Sequence, residues 1–351
     1  MNNPDFKLAT AERVQHTDHA GEAHSRQRAL QRLFLEHNAL VMLVVLAIIA
    51  SILSADFFTY QNLGNLLRQM TPLLLVSIGM LIVILTAGID LSVASVAAVG
   101  GVVVAMTLNV LPVGGSAGLL LAVAIAVAVG VFMGLVTGTF IAYFRMAPFI
   151  ATLAMMTVAR GLAFILSNGQ PQRLDDKLVG AQLLRDFGRL SDGVLGIPWP
   201  VWLGALVTIV LALILRYNAY GRLTIASGSN ETAVRLAGIS VERYKLAAYG
   251  LCGGLAALAG VVIASRSGVA TPSAGLALEL DAIAACVIGG ALLSGGKGTI
   301  FYTVVGVLVL GLIGNIMNLL SVPAYPQQII KGAIIVIAVL LQGVGRRDTR
   351  I

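Results

Sequence analysis

The sequence predicts an all-α, polytopic integral membrane protein of about ten transmembrane helices, one of them short or broken. Three observations carry this. Of 351 residues, 58% are hydrophobic and 11% charged, against roughly 25% charged in an ordinary soluble domain. Apolar runs follow one another from about Ala39 to about Gln342, each near the roughly 20 residues that cross a hydrocarbon core of about 30 Å. The 39 glycines suit helices packed in lipid, where small residues let backbones approach because hydrophobic exclusion no longer drives association.

The expected crossings are 39–56, 64–87, 92–112, 116–143, 148–167, 198–216, 245–265, 281–293, 299–320 and 324–343. They leave a polar N-terminal tail at 1–38, one membrane domain at 39–343 and a short tail at 344–351. The segment at 281–293 is short for a full span and ends in glycines, so it reads as the broken or re-entrant one. Spacings such as Gly130, Gly134 and Gly138 read as close helix packing. A faint internal repeat is suggested by two apolar hairpins that turn through glycine-rich stretches, near Gly88 and near Gly295 to Gly298.

Ten crossings return both ends to one side. Arg13, Arg26, Arg28 and Arg32 in the first tail, Arg145, then Arg222, Arg235, Arg243 and Lys245, and finally Arg346, Arg347 and Arg350 all fall on that side. The excess of Lys and Arg makes it cytoplasmic. The loop from about Asn168 to Pro198 balances Arg173, Lys177, Arg185 and Arg189 with Asp175, Asp176, Asp186 and Asp192, as suits the outer face. The net charge of +7 is spread over short loops, so topology explains it and no nucleic acid is expected. The first tail lacks a small-residue cleavage signal and is read as soluble rather than as a signal peptide.

Several features are expected to carry no chemistry. His16, His19, His24 and His37 lie in the tail without an accompanying cysteine, and Cys252 and Cys286 sit in apolar segments, so no metal site is expected. Ser294-Gly295-Gly296-Lys297-Gly298-Thr299 resembles a phosphate-binding loop but fails twice. Ala291 stands where the first glycine is required, and Gly298 where the Mg²⁺-binding hydroxyl should follow the lysine. With no pairing of nucleophile and base either, catalytic residues are expected to be absent.

Four groups of residues remain. Arg68, Arg160 and Lys331 lie one to two turns inside the outer face at the depth of Glu279 and Asp281; they either neutralise one another around a polar vestibule or snorkel to the headgroups. Gly88, Asp90 and Ser92 form a turn between two helices. Asp90 and Ser92 are placed to cap the free N–H groups of the second helix, and a gate at the cytoplasmic mouth is the other role open to them. Residues Gly228 to Ile239 read as a short surface helix started by Ser229 or Asn230 and stopped by Gly238. On it Val234, Ala237 and Gly238 would share a small face fit to dock into a partner's groove. Thr86, Thr152, Asn315 and Asn318 are polar within apolar helices, either bonding a neighbouring helix or lining a polar path.

Taken in order, these stretches resemble the permease subunits of bacterial ribose-type ABC importers, the branch that carries ribose, xylose, arabinose, allose and related compounds. The resemblance covers about residues 60 to 343. It rests on Gly88-Ile89-Asp90-Leu91-Ser92-Val93, Ala147-Pro148-Phe149-Ile150-Ala151-Thr152-Leu153, Tyr220-Gly221-Arg222 and Gly228-Ser229-Asn230-Glu231 running on to Ala237-Gly238-Ile239. It continues through Pro272, Gly275, Glu279-Leu280-Asp281-Ala282-Ile283, Ile288-Gly289-Gly290, Gly295-Gly296, Gly298 and Asn315. Val234, Leu236, Ala94, Ala291 and Leu292 depart from the commonest pattern and leave the substrate open.

What the resemblance implies is a subunit of the bacterial inner membrane that moves a monosaccharide and performs no covalent chemistry. Asn230, Glu231, Ala233, Arg235, Gly238 and Ile239 would form the loop that docks on a cytoplasmic ABC ATPase. That partner, and not this chain, would hold ATP and Mg. A second permease copy, identical or closely related, would complete the pore within the membrane lipid, and a periplasmic sugar-binding protein would deliver the sugar. The rival reading is an ion-coupled secondary carrier or channel. It would need acids or histidines in mid-membrane, whereas Asp90, Glu279 and Asp281 lie near helix ends.

A reporter fused after Arg346 is expected to be cytoplasmic; an external signal would overturn the ten-crossing reading.

Overall fold

The structure, a computed structural model, describes residues 38–110, 114–189 and 193–344. The tail histidines, Asp192 and the C-terminal arginines lie outside the described residues. Ten long or apolar helices sit where apolar runs were expected: α1 (Asn38–Leu53), α2 (Tyr60–Leu85), α3 (Val93–Val110), α4 (Gly115–Ala142), α5 (Pro148–Leu166), α7 (Trp199–Tyr217), α10 (Val241–Ser267), α11 (Leu278–Ile288), α12 (Ile300–Leu319) and α13 (Ala324–Val344). Between them lie α6 (Val179–Gly188), α8 (Ala219–Ser229), α9 (Glu231–Leu236) and a two-residue antiparallel pairing of β1 (Gln172–Arg173) with β2 (Val269–Ala270).

Seven of these helices, α2, α3, α4, α5, α7, α10 and α12, are long and apolar enough to cross a membrane. α1 has 16 residues, α11 has 11 and α13 has 21, and the fold is a polytopic helical bundle. At about 1.5 Å per residue α11 is about 16 Å long, roughly half a hydrocarbon core. It stops where Gly290 takes φ 79°, with the Gly290 N–H bonded to Val287 O and the Ala291 N–H to Cys286 O, both at 2.9 Å. This left-handed cap satisfies carbonyls that would otherwise be bare at membrane depth.

The centre of the fold is α10, which packs against α4, α3 and α2. The spacing 130, 134, 138 lies along this seam. A Cβ at Gly134 would come within 3.1 Å of Gly250 Cα, one at Gly138 within 3.2 Å of Leu246 Cα, and one at Gly130 within 3.1 Å of the Gly253 carbonyl carbon. On the other side a Cβ at Gly260 would lie 2.9 Å from Gly101 N. Backbone therefore meets backbone across two interfaces, the arrangement that lets dispersion forces hold helices together where water cannot.

Contacts between loops sort the helix ends onto two faces. On one, carrying α6, Asn109 Nδ2 donates to Arg173 O (2.9 Å) and Arg68 Nη1 to Gly188 O (3.0 Å). The loop at 168–198, for which the sequence suggested no helix, contains α6. That helix is amphipathic and buries Ala181 and Leu184 in a core with Leu108 and Val261. The opposite face carries α8 and α9, the 86–92 turn and the 289–299 loop.

Gly130→Val is expected to destabilise the fold by about 1–3 kcal/mol through overpacking, while Gly161→Ala, where an added Cβ meets nothing within 4 Å, should be neutral. Thermal unfolding of the two variants in detergent decides; equal midpoints would remove the α4–α10 seam from the stability argument.

Candidate functional site

On the α9 face the chain turns sharply between α8 and α9 at Asn230. Its side chain caps α9 by accepting from the Ala233 N–H at 3.0 Å. The helix has six residues and ends in a second left-handed cap. Gly238 takes φ 78°, its N–H bonds Arg235 O at 2.9 Å, and the Ile239 N–H bonds Val234 O at 3.2 Å. Glu231 accepts from Arg235 Nη2 and from Lys245 Nζ, each at 2.7 Å, and Arg235 reaches on to Glu242. So α9 is clamped to the first turns of α10 by four alternating charges.

The exposed surface differs from the expected one. Val234 is turned inward and only 8% exposed, whereas Leu236 is 85% exposed. Ala233, Leu236 and Ala237, at i, i+3 and i+4, form the outward side with Thr232 and Gly238 beside them. Six residues are too few for periodicity to choose a side, and the choice is made by the turn at Asn230.

Just inside α9 three segments meet. The Gly296 N–H donates to Leu85 O at 3.1 Å, and a Cβ at Gly228 would press on the Leu85 carbonyl, whose carbon lies 2.9 Å from that point. The two glycine-rich turns that hinted at a repeat therefore touch each other and the end of α8. Asp90 is 1% exposed and Ser92 2%. The Asp90 Oδ1 accepts from Ser92 N (2.9 Å) and Ser92 Oγ (2.6 Å), and Ser92 O receives the Val96 N–H of α3 at 2.9 Å. Asp90 thus bonds the residue ahead of α3 rather than the helix's own N–H groups. Tyr249 Oη donates to Ile89 O at 3.3 Å, and a side chain at Gly88 would strike that hydroxyl. The turn is packed beneath α10.

Towards the α6 face a cavity of about 390 Å³ opens between α2, α10, α11, α12 and α13. Asn315 and Asn318 line it, as do Asp281 and Lys331, which pair at 3.2 Å. Gln69, Arg266 and Gln327 also line it and were missed by sequence reading. Arg266 and Gln69 lie close to helix ends and look like interfacial polar residues until α12 and α13 are folded beside them. Of the other members of the expected charge cluster, Arg160 and Glu279 lie within electrostatic reach of each other, without a direct hydrogen bond between them. Arg160 Nη1 donates to Pro272 O (2.7 Å) and Ala274 O (3.1 Å), Arg68 to Gly188 O and Asn65 Oδ1, and Glu279 Oε2 is buried with no hydrogen-bond partner among the described residues. Thr86 Oγ1 bonds Val83 O (2.7 Å) and Thr152 Oγ1 bonds Pro148 O (2.9 Å), each within its own helix and fully buried away from the cavity.

No group of three or more His, Cys, Asp or Glu able to hold a metal occurs among the described residues. What the arrangement offers is a polar chamber at one face, a small docking surface at the other, and α2 and α10 running between them.

Comparison with known proteins places this geometry. Residues 62–339 match the family described as "Branched-chain amino acid transport system / permease component". The chain is 44% identical to the ribose import permease protein RbsC of Escherichia coli (strain K12) over 88% of this chain and 93% of that protein. It is 44% identical to RbsC of Bacillus subtilis (strain 168), over 85% and 90%. It is also 38% identical to the L-arabinose transport system permease protein AraH of Escherichia coli (strain K12), over 88% and 90%. No solved structure matches.

The clamp on α9 should depend on pH. For Glu231, burial works to raise the carboxyl pKa, but hydrogen bonds from Lys245 and Arg235 outweigh it and hold it below the usual carboxylate range. A folded-state value below the unfolded one means that the clamp is complete above the usual range and is lost as pH falls through the lowered value. Amide exchange of residues 232–236, corrected for intrinsic rates, should stay constant from neutral pH to about 5 and rise below about 4. Glu231→Gln should show the rise already at neutral pH, and an unchanged rate in that variant would dissolve the clamp.

Proposed function

The chain belongs to the transport-system permease family that covers its residues 62–339, and on that premise we propose that it is the membrane-spanning subunit of an ATP-driven importer of a monosaccharide such as ribose or a related pentose, hexose or polyol. The observation that carries the reading is α9: a capped, charge-clamped helix that presents Ala233, Leu236 and Ala237 to solvent at one end of an apolar bundle. An apolar side chain such as Leu236, held 85% exposed on a rigid mount, is what a docking contact needs. The partner is a cytoplasmic ABC ATPase carrying ATP and Mg, since this chain's own glycine-rich turn at 294–299 lacks the residues of a phosphate loop.

On this reading the α9 face is cytoplasmic, both ends of the chain lie on that side of the bacterial inner membrane, and the α6 face receives a periplasmic sugar-binding protein. A second permease copy completes the pore. The family's description speaks of branched-chain amino acids, whereas relatives at 38–44% identity over most of the chain are named for ribose and L-arabinose. Similarity of that extent weighs more than a family-wide description, and the amide-rich cavity suits hydroxyl groups. The rival ion-coupled carrier would need a mid-membrane acid, whereas Asp281 is paired with Lys331, Asp90 is enclosed by Ser92 and Tyr249, and Glu279 lies in the first turn of α11 rather than at mid-helix. The permease itself makes and breaks no covalent bond; ATP-driven motion of the partner, delivered through α9, would exchange outward and inward openings.

Leu236→Asp tests the docking face without touching the left-handed cap at Gly238. The variant is expected to insert normally yet lose co-purification of the ATPase and ATP-dependent uptake of D-ribose and L-arabinose by about tenfold or more, the scale of a buried interface anchor. Unchanged association and uptake would refute the docking face. Accumulation of L-leucine instead of sugar would move the substrate class, and uphill transport by the chain alone would end the importer reading.

A further inference from the structure

We propose that the cavity between α2, α10, α11, α12 and α13 is the outer chamber through which the sugar enters, and that Gln69, Arg266, Asn318 and Gln327 are the groups it touches; the proposal rests on the importer reading above. The chamber's volume of about 390 Å³ lies at the small end of the roughly 300–1,000 Å³ range of ligand sites. It has room for one small molecule and a few waters at about 30 Å³ each.

The lining is chemically suited to a neutral polyol. Each sugar hydroxyl both donates and accepts, and planar amides, a carboxylate and a guanidinium can serve neighbouring hydroxyls in both senses. Gln69 and Arg266 line the chamber with exposed side chains, so water is all that a hydroxyl would displace from them. Others are held in side-chain contacts that a hydroxyl can replace one for one. Gln327 Nε2 donates to Asn318 Oδ1 at 3.0 Å and to Val322 O at 2.8 Å, and Asn315 exchanges two hydrogen bonds with Asn62, at 2.7 and 3.1 Å. Lys331 and Asp281 neutralise each other at 3.2 Å, leaving the wall polar without an open acid. Replaceable bonds of this kind give weak binding, which a conduit requires.

The chamber also has a floor. Met70 of α2 packs directly on Gly311 of α12, where an added Cβ would come within 2.6 Å of Met70 Cγ. Separation of α2 from α12 at this point would extend the chamber towards the α9 face. Thr86 and Thr152 lie off this line, each bonded within its own helix.

Gly314 supplies the test, because it lines the chamber and a Cβ there would meet nothing within 4 Å. In vesicles holding the assembled importer with its ATPase and binding protein, uptake of labelled D-ribose or L-arabinose by Gly314→Cys before modification is the reference for that variant. A bulky methanethiosulfonate reagent added from outside should then cut its uptake about tenfold or more. The unaltered chain should be insensitive, since Cys252 and Cys286 are fully buried. Gln69→Met, which removes a hydrogen-bonding group at similar length, should lower uptake about three- to tenfold with ATPase association unchanged. A thiol at 314 that no reagent reaches, full uptake after its modification, or full uptake by Gln69→Met would each overturn the chamber while leaving the importer reading intact. Failure of the unaltered complex to accumulate either sugar would overturn both.

Discussion

Contact between backbones, made through glycine, is the constraint on which this structure depends. In lipid the apolar faces of helices gain nothing by leaving their solvent, so cohesion must come from close-range dispersion and from satisfied polar groups. α10 meets this demand on two sides, with Gly250 and Gly253 against α4 and Gly260 against α3. Its 27 residues make a strut of about 40 Å. One end carries Glu242 and Lys245, which hold α9; the other carries Arg266, which faces the polar chamber. The proposed docking face and the proposed chamber are therefore attached to one stiff, centrally packed helix.

A second connection runs through α2. Its last carbonyls are gripped where Gly228 and Gly296 converge on Leu85, and some 24 Å away, at about 1.5 Å per residue, Gln69 and Met70 of the same helix line the chamber. The end of α8, the end of α2 and the α11–α12 loop are thus in direct contact with one another.

Charge is kept to the ends of the bundle, and several polar groups there are met by local partners. Arg68 and Arg160 donate to backbone carbonyls, Asp90 accepts from Ser92, and the end of α11 is closed by its glycine cap. Such local satisfaction lowers the cost of polar groups beside an apolar zone.

The apolar runs, the small-residue seam on α4 and the broken helix ending at Gly289 and Gly290 were all legible in the chain, because each depends on local length, spacing or conformational freedom. So were the Asn230 start and Gly238 stop of α9, whose hydrogen bonds span only a few residues. Residues far apart were another matter. That Lys331 chooses Asp281 while Arg160 turns to Pro272, that Gln69 and Arg266 share a wall with Asn318, and that Val234 faces inward while Leu236 faces out are products of how helices from distant parts of the sequence are rotated against one another. Periodicity says that a helix has faces; only the packing of the whole bundle decides which neighbour each face meets.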